Sequence, residues 1–134
     1  RLKARMVPFA GWEMPIQYAG ITSEHQAVRN DVGVFDVSHM GQVQIKGAAS
    51  LPFLQALLPQ DISRLMPGKL LYTVLCNAAG GIIDDLQVWC LDKEEYLLVI
   101  NASRTRVDLK IIREMASDFT DLEILELTKK TILL

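Results

Sequence analysis

The run Cys76-Asn77-Ala78-Ala79-Gly80-Gly81-Ile82-Ile83-Asp84-Asp85-Leu86-Gln87-Val88-Trp89 constrains this chain more than any other stretch. Asn77 to Gly81 is turn chemistry, because glycine tolerates backbone dihedrals that other residues resist. Apolar runs flank it at Leu70–Leu75 and Ile82–Leu91, so the segment is predicted to be a β-hairpin. Side chains alternate between the two faces of a strand. Ile82, Asp84, Leu86, Val88 and Cys90 then share one face, which is mostly apolar and reads as core. Ile83, Asp85, Gln87, Trp89 and Leu91 share the other, where an acid, an amide and an indole in a row suit the wall of a binding site. Neighbouring aspartates on a strand point apart, so Asp84 and Asp85 are not expected to share one proton as a dyad. Asp84 is the structural member, expected to bond backbone amides of the preceding turn. Asp85 is the one free to meet a ligand.

The rest of the chain is quiet by general motif rules. A length of 134 residues allows one domain or pieces of two. Half of the residues are hydrophobic and the charges are mixed, as in a globular chain. A net charge of −2 makes no case for nucleic acid or an anionic membrane. No run is apolar enough to span a bilayer, and no signal peptide is visible. Cys76 and Cys90 lack nearby ligand partners and read as buried thiols of a reducing compartment, cytosol or organelle matrix. No phosphate loop, zinc spacing or nucleophile elbow is present, so no metal is expected. The start at Arg1 and the apolar end Thr131-Ile132-Leu133-Leu134 lead us to expect a fragment of a larger fold.

Before the hairpin, Val7–Pro15 holds two prolines and a glycine and reads as irregular or short-strand structure. Ser23 with Gln26 is a capping-box pattern, so a helix is expected from Glu24 to about Asn30. Val34–Ser38 is short and β-like. Val43 and Ile45 alternate with polar residues in a strand over 42–46. Leu51, Phe53, Leu54, Leu57 and Leu58 recur at helical spacing, predicting a helix over 49–58. After the hairpin come a strand over Tyr96–Ile100 and a helix capped by Asn101 or Ser103, with Val107, Ile111 and Met115 stacked along it. A last strand covers Leu122–Leu127. This order, β-α-β-β-(β)-α-β, predicts an α+β fold: an antiparallel ferredoxin-like sheet with two helices on one face.

Four further residues have two readings each. Met40 is core filler or a contact for a flat ligand. Tyr72 and Trp89 close the core, or stack a heteroaromatic ring on the sheet. Asn101 is a helix cap or a ligand contact.

Several segments together resemble one family. Phe9-Ala10-Gly11-Trp12-Glu13-Met14-Pro15, Phe35-Asp36-Val37-Ser38-His39-Met40-Gly41 and Asn77 through Gly80-Gly81-Ile82-Ile83-Asp84-Asp85-Leu86 are similar to the aminomethyltransferases (T-proteins) of the glycine cleavage system. Lys69-Leu70-Leu71-Tyr72-Thr73 and Leu98-Val99-Ile100-Asn101-Ala102 match in order and spacing. The resemblance runs over essentially the whole chain. It implies a folate-binding T-protein fold, present here in part: residues 1–42 would begin the first, mostly β, domain, 43–120 would form the ferredoxin-like second domain, and 121–134 would start the return to the first.

The resemblance also implies an activity. Such enzymes take an aminomethyl group from the lipoyl arm of the H-protein, release ammonia and pass the one-carbon unit to tetrahydrofolate as 5,10-methylenetetrahydrofolate. It gives Asp85 the catalytic position beside the folate amine, where a carboxylate accepts a proton and favours developing positive charge. Folate contacts carry over to Met40, Tyr72, Asp85 and Asn101, and less securely to Trp89, where the family often has Tyr. The partners implied are the H-protein and folate, in a bacterial cytoplasm or a mitochondrial matrix. Alternatives on the same scaffold are the folate domains of dimethylglycine or sarcosine oxidation, a demethylase, or a non-catalytic folate-binding relative in iron–sulfur cluster assembly.

Overall fold

The computed structural model describes residues 2–134. They divide into two compact units: one runs to His39 and includes Ile132–Leu134, and the other is Met40–Thr131.

The second unit is a five-stranded antiparallel sheet with helices packed on one side. Its strands are β3 (Gly41–Lys46), β4 (Leu70–Cys76), β5 (Ile82–Asp92), β6 (Glu95–Ile100) and β7 (Glu123–Glu126), and its helices are α2 (Ser50–Leu57) and α3 (Thr105–Ala116). The spatial order is β4-β5-β6-β3-β7, every neighbouring pair being antiparallel. This is the ferredoxin-like arrangement with one extra strand, β4, on the edge. β7 pairs with β3 from Val43↔Glu126 to Lys46↔Glu123. It thus belongs to this sheet, although the sequence reading began the return to the first domain at residue 121.

Alternation along the strands builds the core. Val43 and Ile45 of β3, Leu86 and Val88 of β5, and Leu98 and Ile100 of β6 are all buried on one face, against Phe53, Leu54 and Leu57 of α2 and Leu109 and Ile112 of α3. Phe53 meets Phe119 edge-to-face, with centroids 5.5 Å apart, a favourable aromatic geometry.

The helix α3 differs from its expected form in two ways. Its buried residues are Asp108, Leu109 and Ile112, whereas Val107 is exposed. The apolar stripe is therefore rotated by about one residue, because an acid occupies a core position. No side chain caps its start; the backbone amide of Arg104 donates to Asn101 O instead. The Asn101 side chain is left free for other partners.

In the first unit, β1 (Arg5–Phe9) and β2 (Trp12–Gln17) form a two-stranded ribbon. Its turn places Ala10 and Gly11 at φ 50° and 82°, the left-handed pair that a tight hairpin requires. Pro8 and Pro15 are tolerated because both strands are edges. The helix α1 spans Ile21–Asn30, three residues earlier than expected. Glu24 explains the shift: its Oε1 accepts from the backbone amides of Tyr18, Ala19 and Gly20 at 2.7, 2.7 and 2.9 Å. Ser23 donates to Gly20 O rather than capping. Residues 34–38 form no strand; Val37 makes a single backbone bond, to Leu133 O. Among the described residues of this unit none is fully buried.

Candidate active site on the open sheet face

The hairpin turn is held from within. Asn77 Oδ1 accepts from the amides of Ala79 and Gly81 at 3.0 and 2.9 Å, and Gly80 takes φ 80°. Asn77 thus supplies the amide acceptor that the sequence reading assigned to Asp84. β5 leaves this turn with Asp84 facing the helices, 7 % exposed, and Asp85 facing away from them.

Across the open face, β4 and β6 bring partners to Asp85. Val74 pairs with Asp85, Tyr72 with Gln87 and Leu70 with Trp89. The Tyr72 hydroxyl donates to Asp85 Oδ2. That bond is the first cause holding the Tyr72 phenol above its ordinary range, so it stays protonated near neutrality. From the other side Asn101 Nδ2 reaches Asp85 Oδ1 at 3.2 Å and Asp85 O at 3.0 Å. Further along, the Trp89 indole N–H donates to Gln87 Oε1 at 3.0 Å, which fixes the plane of the ring.

Asn101 joins the two aspartates. Its backbone amide donates to Asp84 Oδ2 at 3.2 Å, and its Nδ2 also donates to Asp84 Oδ1 at 3.0 Å. Asp84 therefore secures the end of β6 rather than the preceding turn. Gly41 makes room for this junction: a Cβ there would stand 2.5 Å from Ile100 Cγ1 and 2.7 Å from Thr105 Oγ1.

Four of the five residues expected at a site, Tyr72, Asp85, Trp89 and Asn101, thus meet on one face. Met40 stands at its edge, one step beyond the Gly41–Ile100 pair that opens β3. Sequence reasoning missed Asp108, which is fully buried on α3. Burial first, and then the Asp84 carboxyl beside it, pushes the Asp108 carboxyl up to about 7, against the opposing pull of Arg104. The available signal was an acid inside the apolar stripe of an amphipathic helix. Cys76 and Cys90 are both free, and burial pushes the Cys90 thiol up. A raised thiol is a poor nucleophile. Among the described residues no cluster of His, Cys, Asp or Glu could hold a metal ion. None of the helices is long and apolar enough to cross a membrane.

Chemically, the face presents one carboxylate oriented from two sides. A carboxylate has about four lone-pair sites, so Asp85 keeps acceptors for a ligand N–H after meeting Tyr72 and Asn101. Trp89, Tyr72 and Val74 supply flat apolar surface around it.

The sequence and the fold both have known relatives. The family model described as the GCVT N-terminal domain matches residues 1–134. An aminomethyltransferase from Deinococcus deserti is 49% identical over 119 residues, which are 89% of this chain and 33% of that protein. An aminomethyltransferase from Desulforamulus reducens is 55% identical over 105 residues, 78% of this chain and 29% of that protein. The crystal structure of the glycine cleavage system aminomethyltransferase T from Bartonella henselae superposes with a TM-score of 0.85 at 31% identity, covering 95% of this chain and 35% of that one. The chain spans about a third of the length of these relatives. With the family model matched from end to end, the chain belongs to the GCVT N-terminal domain family.

Proposed function

We propose that this chain is the N-terminal part of a tetrahydrofolate-dependent aminomethyltransferase of glycine cleavage. On this reading the protein takes the aminomethyl group from the lipoyl arm of the H-protein, releases ammonia and forms 5,10-methylenetetrahydrofolate. The observation that carries it is the Asp85 carboxylate, placed on the open sheet face and held by Tyr72 and Asn101. The relatives named aminomethyltransferases support the same reading.

The donor set suits a reduced pterin. Trp89 and Tyr72 offer rings against which a flat heterocycle packs, and Asp85 offers acceptors for an amine N–H. Met40, at the edge of the face, adds a polarizable side chain to that surface. When bound, tetrahydrofolate supplies the nucleophilic amine. Asp85 takes up the proton that this amine sheds and favours positive charge developing beside it. Tyr72 and Asn101 keep the carboxylate aimed, so little reorganisation accompanies the reaction. A lipoylated partner places the protein in a bacterial cytoplasm or a mitochondrial matrix.

The test is calorimetric titration of the complete protein carrying this chain with 5-formyltetrahydrofolate. Wild type is expected to bind, and Asp85→Asn to bind with altered affinity or enthalpy. A folded wild type that does not bind would overturn the reading.

A further inference from the structure

Asp108 lies at the heart of the helix-covered side of the sheet. It is fully buried, and among the described residues neither of its carboxyl oxygens has a hydrogen-bond donor. An ionised carboxylate in that state is costly, and a carboxyl escapes the cost by keeping its proton. The neighbouring carboxyl is that of Asp84, 7 % exposed on the helix-covered face of β5. Asp84 already accepts twice from Asn101. Two carboxyls facing each other in a core need one proton between them.

We propose that Asp108 is the positioning residue of this site: as a neutral acid it donates to Asp84, which fixes Asn101, which in turn aims Asp85. The connection runs from the helix layer through the sheet to its open face. Each link beyond Asp108 is a hydrogen bond of 3.0–3.2 Å. Ionisation of Asp108 sets two buried negative charges against each other. Their repulsion moves Asp84 off Asn101, and Asp85 then loses one of its two side-chain anchors.

The surroundings leave few other groups to share this role. Asp84 faces Asp108 from β5, and Arg104 stands just before α3. The facing helix α2, Ser50–Leu57, carries no titratable side chain. Arg113, further along α3, is paired with Glu126 of β7. The Tyr96 hydroxyl, on the core side of β6, donates to Lys93 O.

The consequence for rate rests on the folate-dependent reading above; the shared proton does not. Two measurements keep them apart. Carboxyl-carbon NMR of the aspartate-labelled complete protein reports the protonation of Asp108 directly. A protonated signal persisting to about pH 7, lost in Asp108→Asn, is expected. An Asp108 carboxylate already ionised at pH 5 would overturn the proposal, whether or not folate binds.

Aminomethyl transfer is then followed from pH 6 to 9. Wild-type kcat is expected to fall on the alkaline side. Asp108→Asn keeps a donor toward Asp84, so it should stay within about threefold of wild type at pH 6.5 and lose that alkaline fall. Asp108→Leu removes the donor and should lower kcat by about tenfold to a hundredfold, the scale of a misplaced catalytic group, with little change in the folate KM. If Asp108→Leu does not fold, the Asp108→Asn pH profile decides. An alkaline fall unchanged in Asp108→Asn would overturn the proposal.

Discussion

The two faces of the sheet contrast through two adjacent residues of one strand. On the helix-covered face, Asp84 is buried on the same side of β5 as Leu86 and Val88 and spends its oxygens on the end of β6. On the open face, Asp85 is aimed by Tyr72 and Asn101 and keeps lone pairs for a ligand. Residue type is the same, and the strand's period of two separates the roles. The lesson is that a strand can put an acid that holds the fold directly beside an acid left open to a ligand. Asn101, which bonds to both, couples the covered face to the open one.

The comparison can be broken from the core side first. In the complete protein, Phe53→Ala removes a fully buried ring packed on Phe119. It should cost about 3–5 kcal/mol in denaturant melts, and the folded fraction should keep its folate affinity. Asp84→Ala strips acceptors from two Asn101 donors and removes the carboxyl neighbouring Asp108. A loss of about 1–3 kcal/mol is expected, read by the same melts; unchanged melting would show that the two carboxylates have been assigned to the wrong faces.

A pH series sharpens the covered face further. Between the ordinary carboxyl value of 3.8 and about 7, Asp108 holds a proton in the folded state that the unfolded chain has lost. The folded state then binds more protons, so raising the pH favours unfolding. Wild type should lose stability relative to Asp108→Asn by about 1.4 kcal/mol per pH unit at most across that window, and the difference should level off above it. Parallel curves would show that Asp108 titrates normally. The smallest effect belongs to the open face: Tyr72→Phe removes one of two anchors from Asp85. A rate loss of about fivefold is expected, with unchanged melting because Tyr72 is 58% exposed.

Much of this architecture was legible in the chain because the core residues of β3 and β5 recur with a period of two. Val43 and Ile45, and Leu86 and Val88, place themselves by period alone. The same rule sent Asp85, Gln87 and Trp89 to one face. What was not legible depends on pairs far apart in sequence. Asp84 was expected to serve the adjacent turn, yet Asn77 does that, and Asp84 reaches Asn101 on another strand. Asp108 broke the helical reading of α3, since an acid is ordinarily assigned to solvent and here fills a core position. Glu24 displaced the expected start of α1 by binding three amides ahead of it, where Ser23 carried the familiar capping pattern.

The most direct test of the division between the two acids is the aminomethyl-transfer rate of Asp85→Asn in the complete protein, with its melting temperature measured on the same preparation. The expected result is a rate at least about a hundredfold below wild type, the scale of a lost acid–base group, with melting essentially unchanged. A near-normal rate, or a large fall in melting temperature, would contradict the assignment of chemistry to Asp85 and structure to Asp84.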